Sequence, residues 1–339
     1  MIASVPPIIR ATSLSRWFGP NCVIDNLDFE VPSGRVTALV GLNGAGKTTL
    51  MRIIMGFLDP TLGQCMTMER DSKQMDPETL SRIGYLVEGH YLPGWMRVSE
   101  LERLCASSRA HWDHDRFADI IDHFAIRPAQ RAGRISRGQR AGVSLACVLS
   151  AEPDVLVLDD PALGLDPISR RALNETLVDY IGAGGDSPRT ILLSTHQLDD
   201  VERIADDIAV MISGTLWVHT SLDDFQSRVR LFHFAGKDSD DSKALCSRIR
   251  GACDNIIETR TVGNRVLVTV LDADDSWLTE CSRIIERDGE AIDANLGDRV
   301  MAYLARERER MLVNQDPSSR WSAKSKADPG SLVTEGESR

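Results

Sequence analysis

The sequence predicts an α/β chain in which a mostly parallel, helix-covered sheet is followed by a smaller α+β unit. Short apolar runs (Val36 to Val40, Val155 to Leu158, Thr190 to Ser194, Ile208 to Ile212) alternate with helix-length segments from residue 1 to about 219. That is the rhythm of buried parallel strands joined by crossover helices. Between Tyr85 and Ser150 the rhythm stops, and a charged, helical pattern broken by Pro93, Gly94, Pro128 and Gly133 predicts an inserted helical subdomain at about 85–150. From about Asp223, four further runs (Arg230 to Phe234, Asn255 to Thr259, Arg265 to Val270, Ala291 to Ala294) surround two helical stretches in the order βαββαβ.

A chain of 339 residues with 42% hydrophobic content can fill two cores, expected at 1–219 and 220–312. Residues 313–339 have little to bury, so their ordering entropy would go uncompensated and disorder is expected there. The net charge of -11, with no long basic run, argues against nucleic acid and anionic lipid as general partners. No stretch approaches the roughly 18 to 20 apolar residues of a membrane span, and the opening segment lacks a secretory signal, so a cytoplasmic location is expected. The seven cysteines are scattered without a CxxC pair, which predicts reduced, mostly buried thiols rather than a disulfide framework or zinc site.

The strongest chemical signal is Gly41-Leu42-Asn43-Gly44-Ala45-Gly46-Lys47-Thr48, between the apolar run Val36 to Val40 and a helical segment that begins near Thr49. It satisfies GxxxxGK[ST] in the strand, loop, helix context that phosphate binding requires. Glycines let the backbone curl around an anion, so that amide N–H groups and the helix N-terminus point at β- and γ-phosphates. Lys47 adds a mobile charge, and the Thr48 hydroxyl a ligand for Mg²⁺. Val155 to Asp160 reads as a buried strand ending in two carboxylates at the sheet edge where ligands of such folds bind. Asp159 suits the Mg²⁺ shell, and Asp160 the group that orients or deprotonates an attacking water. The plain alternative is an acidic pair capping the turn before Pro161.

From about residue 8 to 219 the chain resembles the ATPase subunits of ABC transporters, with the motifs in the family's order. Ile135-Ser136-Arg137-Gly138-Gln139 resembles the LSGGQ signature, Leu163-Gly164-Leu165-Asp166 the D-loop, and Ser194-Thr195-His196 the switch-histidine segment. Phe18 occupies the place of the aromatic residue that stacks on adenine, and Ile83 to Glu88 corresponds to the approach to the Q-loop. The resemblance implies a P-loop NTPase core with an N-terminal antiparallel β part. It also implies a head-to-tail dimer, as homodimer or heterodimer, in which Ser136, Gly138 and Gln139 of one chain complete the nucleotide site of the other. In that arrangement His196 senses the γ-phosphate, Asp166 couples the two sites, and Glu88 serves Mg²⁺ or water.

The partners implied are integral membrane permease subunits, with the chain peripheral on the cytoplasmic face of the membrane and ATP hydrolysis driving transport, export by resemblance. Tyr91 and Trp95 are candidate docking anchors on that side, with ordinary packing of the helical subdomain as the other reading. Three residues depart from the family pattern: Asp160 for glutamate, Glu88 for glutamine and Arg137 for the signature's first glycine. The shorter Asp160 side chain sets its carboxylate back by about 1.5 Å, which keeps slow or regulatory ATPase function open. A soluble ABC protein acting on ribosomes or DNA is the other alternative; the single ATPase domain, the missing heptads and the acidic charge disfavour it.

Overall fold

The computed structural model describes residues 7–183, 189–253, 255–273 and 275–315. The first half of the chain supplies β1 (Pro7–Phe18), β2 (Asn21–Pro32), β3 (Val36–Val40), α1 (Lys47–Ile54), β4 (Leu62–Thr67), β5 (Arg70–Asp71), α2 (Pro77–Ser81) and β6 (Ile83–Leu86). Next come α3 (Val98–Ser107), α4 (His114–His123), α5 (Arg137–Leu149), β7 (Val155–Asp159), α6 (Pro167–Gly182), β8 (Thr190–Thr195), α7 (Leu198–Ile204), β9 (Asp207–Ile212) and β10 (Thr215–Ser221). The C-terminal unit contains α8 (Leu222–Arg228), β11 (Val229–Ala235), α9 (Ser239–Ala252), β12 (Ile256–Val262), β13 (Arg265–Leu271), α10 (Asp275–Ile285), β14 (Gly289–Ile292) and α11 (Leu296–Gln315).

The central sheet has the order β10-β9-β3-β8-β7-β6, parallel except for β10. Every residue of β3, β7 and β8 is buried, because helices and a second sheet cover both faces. The register aligns Val40 with Thr195 and Val210, and Asp159 with Ser194, so the carboxyl ends of β3, β7 and β8 come level at one edge. The expected antiparallel part is the sheet β2-β1-β4-β5, which shares a core with α1 through Ile9, Leu14, Phe29, Leu50 and Ile53.

The inserted helices pack on the other side of the central sheet. Phe117, Ile120, Ile121 and Phe124 of the α4 region meet Val143, Ala146 and Leu149 of α5. The approach is close enough that a Cβ on Gly142 would lie 2.4 Å from the Phe124 ring. The insertion begins later than expected from residue 85, since Tyr85 and Leu86 still belong to β6 and pair with Val157 and Leu158.

The C-terminal unit has the βαββαβ order, with sheet order β12-β13-β11-β14. β14 lies two residues earlier than its apolar run suggested, because Phe234 pairs with Gly289, whose missing side chain makes room for the ring. Asn295, just beyond the end of that run, accepts the Asp298 amide at the start of α11. Val229, Leu231, Leu296 and Val300 share a core with Val40, Ile208 and Val210, so this unit packs directly on the ATPase-like sheet. The chain expected to be disordered from 313 remains helical to Gln315, and residues 316–339 lie outside the described residues. The cysteines are free, but mostly buried is a reading to correct: Cys65 and Cys281 are buried, Cys22 is exposed, and the other four are half-buried, Cys147, Cys246 and Cys253 at the edges of the cores. Among the described residues no helix is long and apolar enough to cross a membrane.

Candidate functional site

Gly41 leaves β3 in a space that no side chain fits, since a Cβ there would lie 2.2 Å from the Met211 carbonyl of β9. Gly44 (φ +83°) and Gly46 (φ +105°) then turn the loop back through left-handed conformations that glycine adopts without steric cost. The helix α1 starts at Lys47 as a result, with its N-terminal amides facing the loop's concavity. The Ala45 amide donates to the Leu42 carbonyl (3.1 Å), and the Lys47 ammonium donates to the carbonyls of Gly41 (2.7 Å) and Leu42 (3.1 Å). Lys47 is almost fully buried; burial lowers its pKa, and Asp160, Asp159 and Glu88 oppose that shift.

Asn43, Gly44, Gly46, Lys47, Thr48 and Thr49 line one side of a cleft of about 260 Å³. Glu88, Asp159, Asp160 and Ser194 line the other. Asp159 is 2% exposed, and its Oδ1 accepts from both the Thr48 hydroxyl (3.1 Å) and the Ser194 hydroxyl (2.8 Å). Ser194 Oγ in turn accepts the Asp160 amide at 2.9 Å, so one hydroxyl ties the two carboxylate residues together. Sequence reading gave Ser194 no role of its own; its place at the end of a strand next to the Asp pair is the signal that was available.

Asp160 adopts φ +46°, a left-handed conformation that aspartate tolerates better than most residues. Its Oδ2 lies 2.7 Å from His196 Nδ1, while Oδ1 is buried without a protein partner among the described residues. Burial raises the Asp160 pKa, partly offset by His196 and Lys47. The predicted switch histidine is therefore engaged with the carboxylate itself.

Glu88 also borders a second cleft of about 670 Å³, shared with Thr48, Asp159, Arg137 and Tyr91. Phe57, 61% exposed and packed edge-on against Tyr85 at 5.5 Å, lines it as well and was not singled out from sequence. Tyr91 and Trp95 are 84% and 73% exposed, so packing within the helical insertion is not what occupies them.

The signature residues do not line the phosphate cleft of their own chain. Ser136 is the N-cap of α5 and exchanges hydrogen bonds with Gln139 in a capping box. Gly138 faces the start of α6, where a Cβ would clash with Ser169 and approach the Asp166 carboxylate to 3.5 Å. Asp166 caps α6 by accepting the Ile168 and Ser169 amides and the Ser169 hydroxyl, bonds from Ser169 that hold its pKa down. The Arg137 guanidinium lies against Gly164 (φ +69°), joining signature and D-loop within one chain. Phe18 lies outside the cleft at the β1–β2 turn, 45% exposed, with the Arg16 guanidinium 4.5 Å from its ring centroid.

His90 is a further residue that the sequence reading passed over. It is 1% exposed at φ +51°, and its Nε2–H donates to the carbonyl of Pro161, the residue after Asp160, at 2.8 Å. Burial lowers its pKa, opposed by the hydrogen bond to Pro161, and so favours the neutral ring.

Such an arrangement can hold a magnesium-bound polyphosphate. The left-handed glycines shape a cradle, Lys47 has a buried charge with only carbonyl partners, Asp159 and Thr48 stand together as oxygen ligands, and Asp160 keeps an unpartnered oxygen for water.

A family profile described as ABC transporter matches residues 24–163. The chain is 30% identical to the Nod factor export ATP-binding protein I of Cupriavidus metallidurans over 213 residues, 61% of this chain and 69% of that protein. It is 36% identical over 195 residues to YbhF of Escherichia coli, a probable multidrug ABC transporter ATP-binding protein, covering 56% of this chain but only 33% of that one. A solved ATP-binding subunit of an ABC transporter superposes with TM-score 0.57 at 26% identity, over 65% of this chain and 92% of its own. A dimeric cassette bound to ADP and Pi shares the fold, with TM-score 0.55 at 17% identity over 63% and 98%. Glycine loop, paired carboxylates and sequence kinship converge: the chain belongs to the family of ABC transporter ATP-binding proteins.

Proposed function

We propose that this protein is the ATP-hydrolysing subunit of an ABC exporter, closing head to tail with a second copy or a related chain around two Mg-ATP. The observation that carries the reading is the separation within one chain of the phosphate cleft from the signature. Ser136 is exposed at the N-terminus of α5 and Gly138 is buried against Ser169 of α6, and neither lines the phosphate cleft of its own chain, which suits a γ-phosphate offered to that helix end by a partner. In this reading Thr48, Asp159 and Glu88 hold Mg²⁺, which neutralises phosphate charge when bound, and Phe18 meets the adenine after Arg16 shifts from its face. Lys47 leaves the loop carbonyls for the β- and γ-phosphates, and Asp160, steadied by His196, orients the attacking water. Purified protein should hydrolyse ATP only with Mg²⁺, and Asp160→Asn with Mg-ATP should sediment as a dimer. A monomer at saturating Mg-ATP, with either this chain alone or its genomic neighbours' ATPase chains, would remove the head-to-tail reading.

Docking to membrane permease subunits on the cytoplasmic face is proposed for the surface of Tyr91, Trp95 and Phe57. All three side chains are large and exposed, and Tyr91 and Phe57 line a cleft that reaches Glu88, as expected of interface anchors. Export accords with the names of relatives such as the Nod factor and multidrug proteins. Trp95→Ala should weaken recruitment to permease-containing membranes by about tenfold or more while ATP affinity stays within twofold. Equal recruitment of variant and wild type would discard the docking role.

His90 lies between that surface and the chemistry, and acts as a positioning residue for the Asp160–Pro161 turn. His90→Phe keeps a planar ring, somewhat larger, but loses the donor, and should lower kcat about tenfold with ATP affinity unchanged. His90→Gln, which restores an N–H donor, should recover much of the rate. If the phenylalanine variant turns over like wild type, the hydrogen bond has no catalytic part.

A further inference from the structure

We infer that Cys253 and Cys281 form a redox-active dithiol, a modification site in the C-terminal domain that closes to a disulfide on exposure to a small-molecule disulfide. Their sulfur atoms stand 2.7 Å apart, although the residues are 28 positions apart in sequence. A covalent S–S bond is about 2.05 Å long, so less than an ångström of travel separates the thiols from closure.

Each residue is held by an independent structural element. Cys253 ends α9, with its amide bonded to the Ile249 carbonyl, and Cys281 lies within α10. Both helices pack on the same core of Phe232, Phe234, Ile249, Val268 and Ile285, so the approach is imposed by the domain's packing and not by a local turn.

The two sulfurs are unequal, and that sets the order of events. Cys281 is 1% exposed, and burial together with the neighbouring Cys253 pushes its pKa up, so it keeps its proton. Cys253 is half-buried and is the sulfur a reagent can reach. As thiolate, Cys253 attacks one sulfur of a low-molecular-weight disulfide, forming a mixed disulfide and releasing the other half as a thiol. Cys281 then attacks the Cys253 sulfur as its proton passes to the departing thiolate, which leaves as the second small thiol. Two protein thiols are oxidised by two electrons in all, and one external disulfide is reduced to two thiols. The new bond encloses β12 and β13, the strands between the two cysteines, and fastens α9 to α10.

The remaining cysteines provide internal comparisons. Cys22 is the exposed one and its thiol donates to a carbonyl, whereas Cys246 meets the Thr259 hydroxyl at 3.2 Å. Cys105 and Cys147 are also neighbours, a contact that draws the Cys105 pKa down to about 7, so closure must be assigned by peptide and not by counting thiols.

The full-length chain would be equilibrated in buffers of rising oxidised-to-reduced glutathione ratio, acid-quenched, alkylated and mapped by mass spectrometry. Cys253 and Cys281 should lose alkylation together, at least tenfold, as one cross-linked peptide that dithiothreitol reverses. Cys281→Ser should trap Cys253 as a lasting glutathione adduct, and Cys253→Ser should leave Cys281 unmodified over the same range. Full alkylation of both cysteines in wild type at a ratio that already glutathionylates Cys22 would overturn the proposal, needing no variant to fold. So would a wild-type Cys253–glutathione adduct that never resolves to the cross-link.

Discussion

Lys47→Ala is expected to abolish Mg-ATP hydrolysis, lowering turnover by at least about 10²- to 10³-fold, the scale on which removal of a preorganised charge-stabilising donor acts. Lys47 is 8% exposed and its ammonium's hydrogen bonds go to the Gly41 and Leu42 carbonyls, so the loop already surrounds the charge before any phosphate arrives. Burial favours its neutral form, and a triphosphate entering the cleft would favour the cation, so ligand and charge reinforce each other. Phosphate release measured beside nucleotide affinity separates the outcomes. Loss of both turnover and tight Mg-ATP binding is the expected result; a variant that hydrolyses at the wild-type rate would remove the cleft from the chemistry. Folding should survive, because the ammonium's partners are carbonyls at the cleft that water can reach when the side chain is gone.

The second large effect concerns Asp160. Asp160→Asn keeps shape and loses the anion, and should cost on the order of 10²-fold in kcat, within the usual range for a positioned base. Asp160→Glu advances the carboxylate by about 1.5 Å and should raise kcat if the short side chain limits turnover. A rate insensitive to both changes would exclude Asp160 from the water-orienting role. The pH profile gives an independent check. Burial raises the Asp160 pKa, so the carboxylate form is lost as pH falls through a value above that of an ordinary aspartate, and the acid limb of kcat should lie correspondingly high. His196 opposes that shift through its charge and its 2.7 Å contact. His196→Ala should therefore move the acid limb of the residual rate further up; a limb displaced downward would mean another group is titrating.

Much of this site was legible without coordinates because its parts are contiguous. The strand Val36 to Val40, the glycine loop and the start of α1 are neighbours in sequence, and the loop's shape depends on backbone freedom at Gly41, Gly44 and Gly46. Likewise β7 ends in Asp159 next to Asp160, so acid at the sheet edge followed from the apolar run alone. Other site features escaped because their meaning lies in a partner far along the chain. Ser194 acts on an aspartate 35 residues away, and His90 on a carbonyl 71 away. Asp166 was read for its family role alone, and its own-chain work as the N-cap of α6 became visible only with that helix in place.

By itself the sequence determined the alternation of strands and helices, the βαββαβ order of the C-terminal unit and the chemistry of the phosphate loop. These are properties of periodicity and of backbone freedom over a few adjacent residues. Tertiary structure alone decided which hydroxyl joins the two carboxylates, that His196 faces Asp160, that Arg137 lies on the D-loop, and that Cys253 meets Cys281. The physical reason is that strand register and helix packing fix distances between residues that no local pattern relates: a level sheet edge sets β7 beside β8, and a shared core sets α9 beside α10.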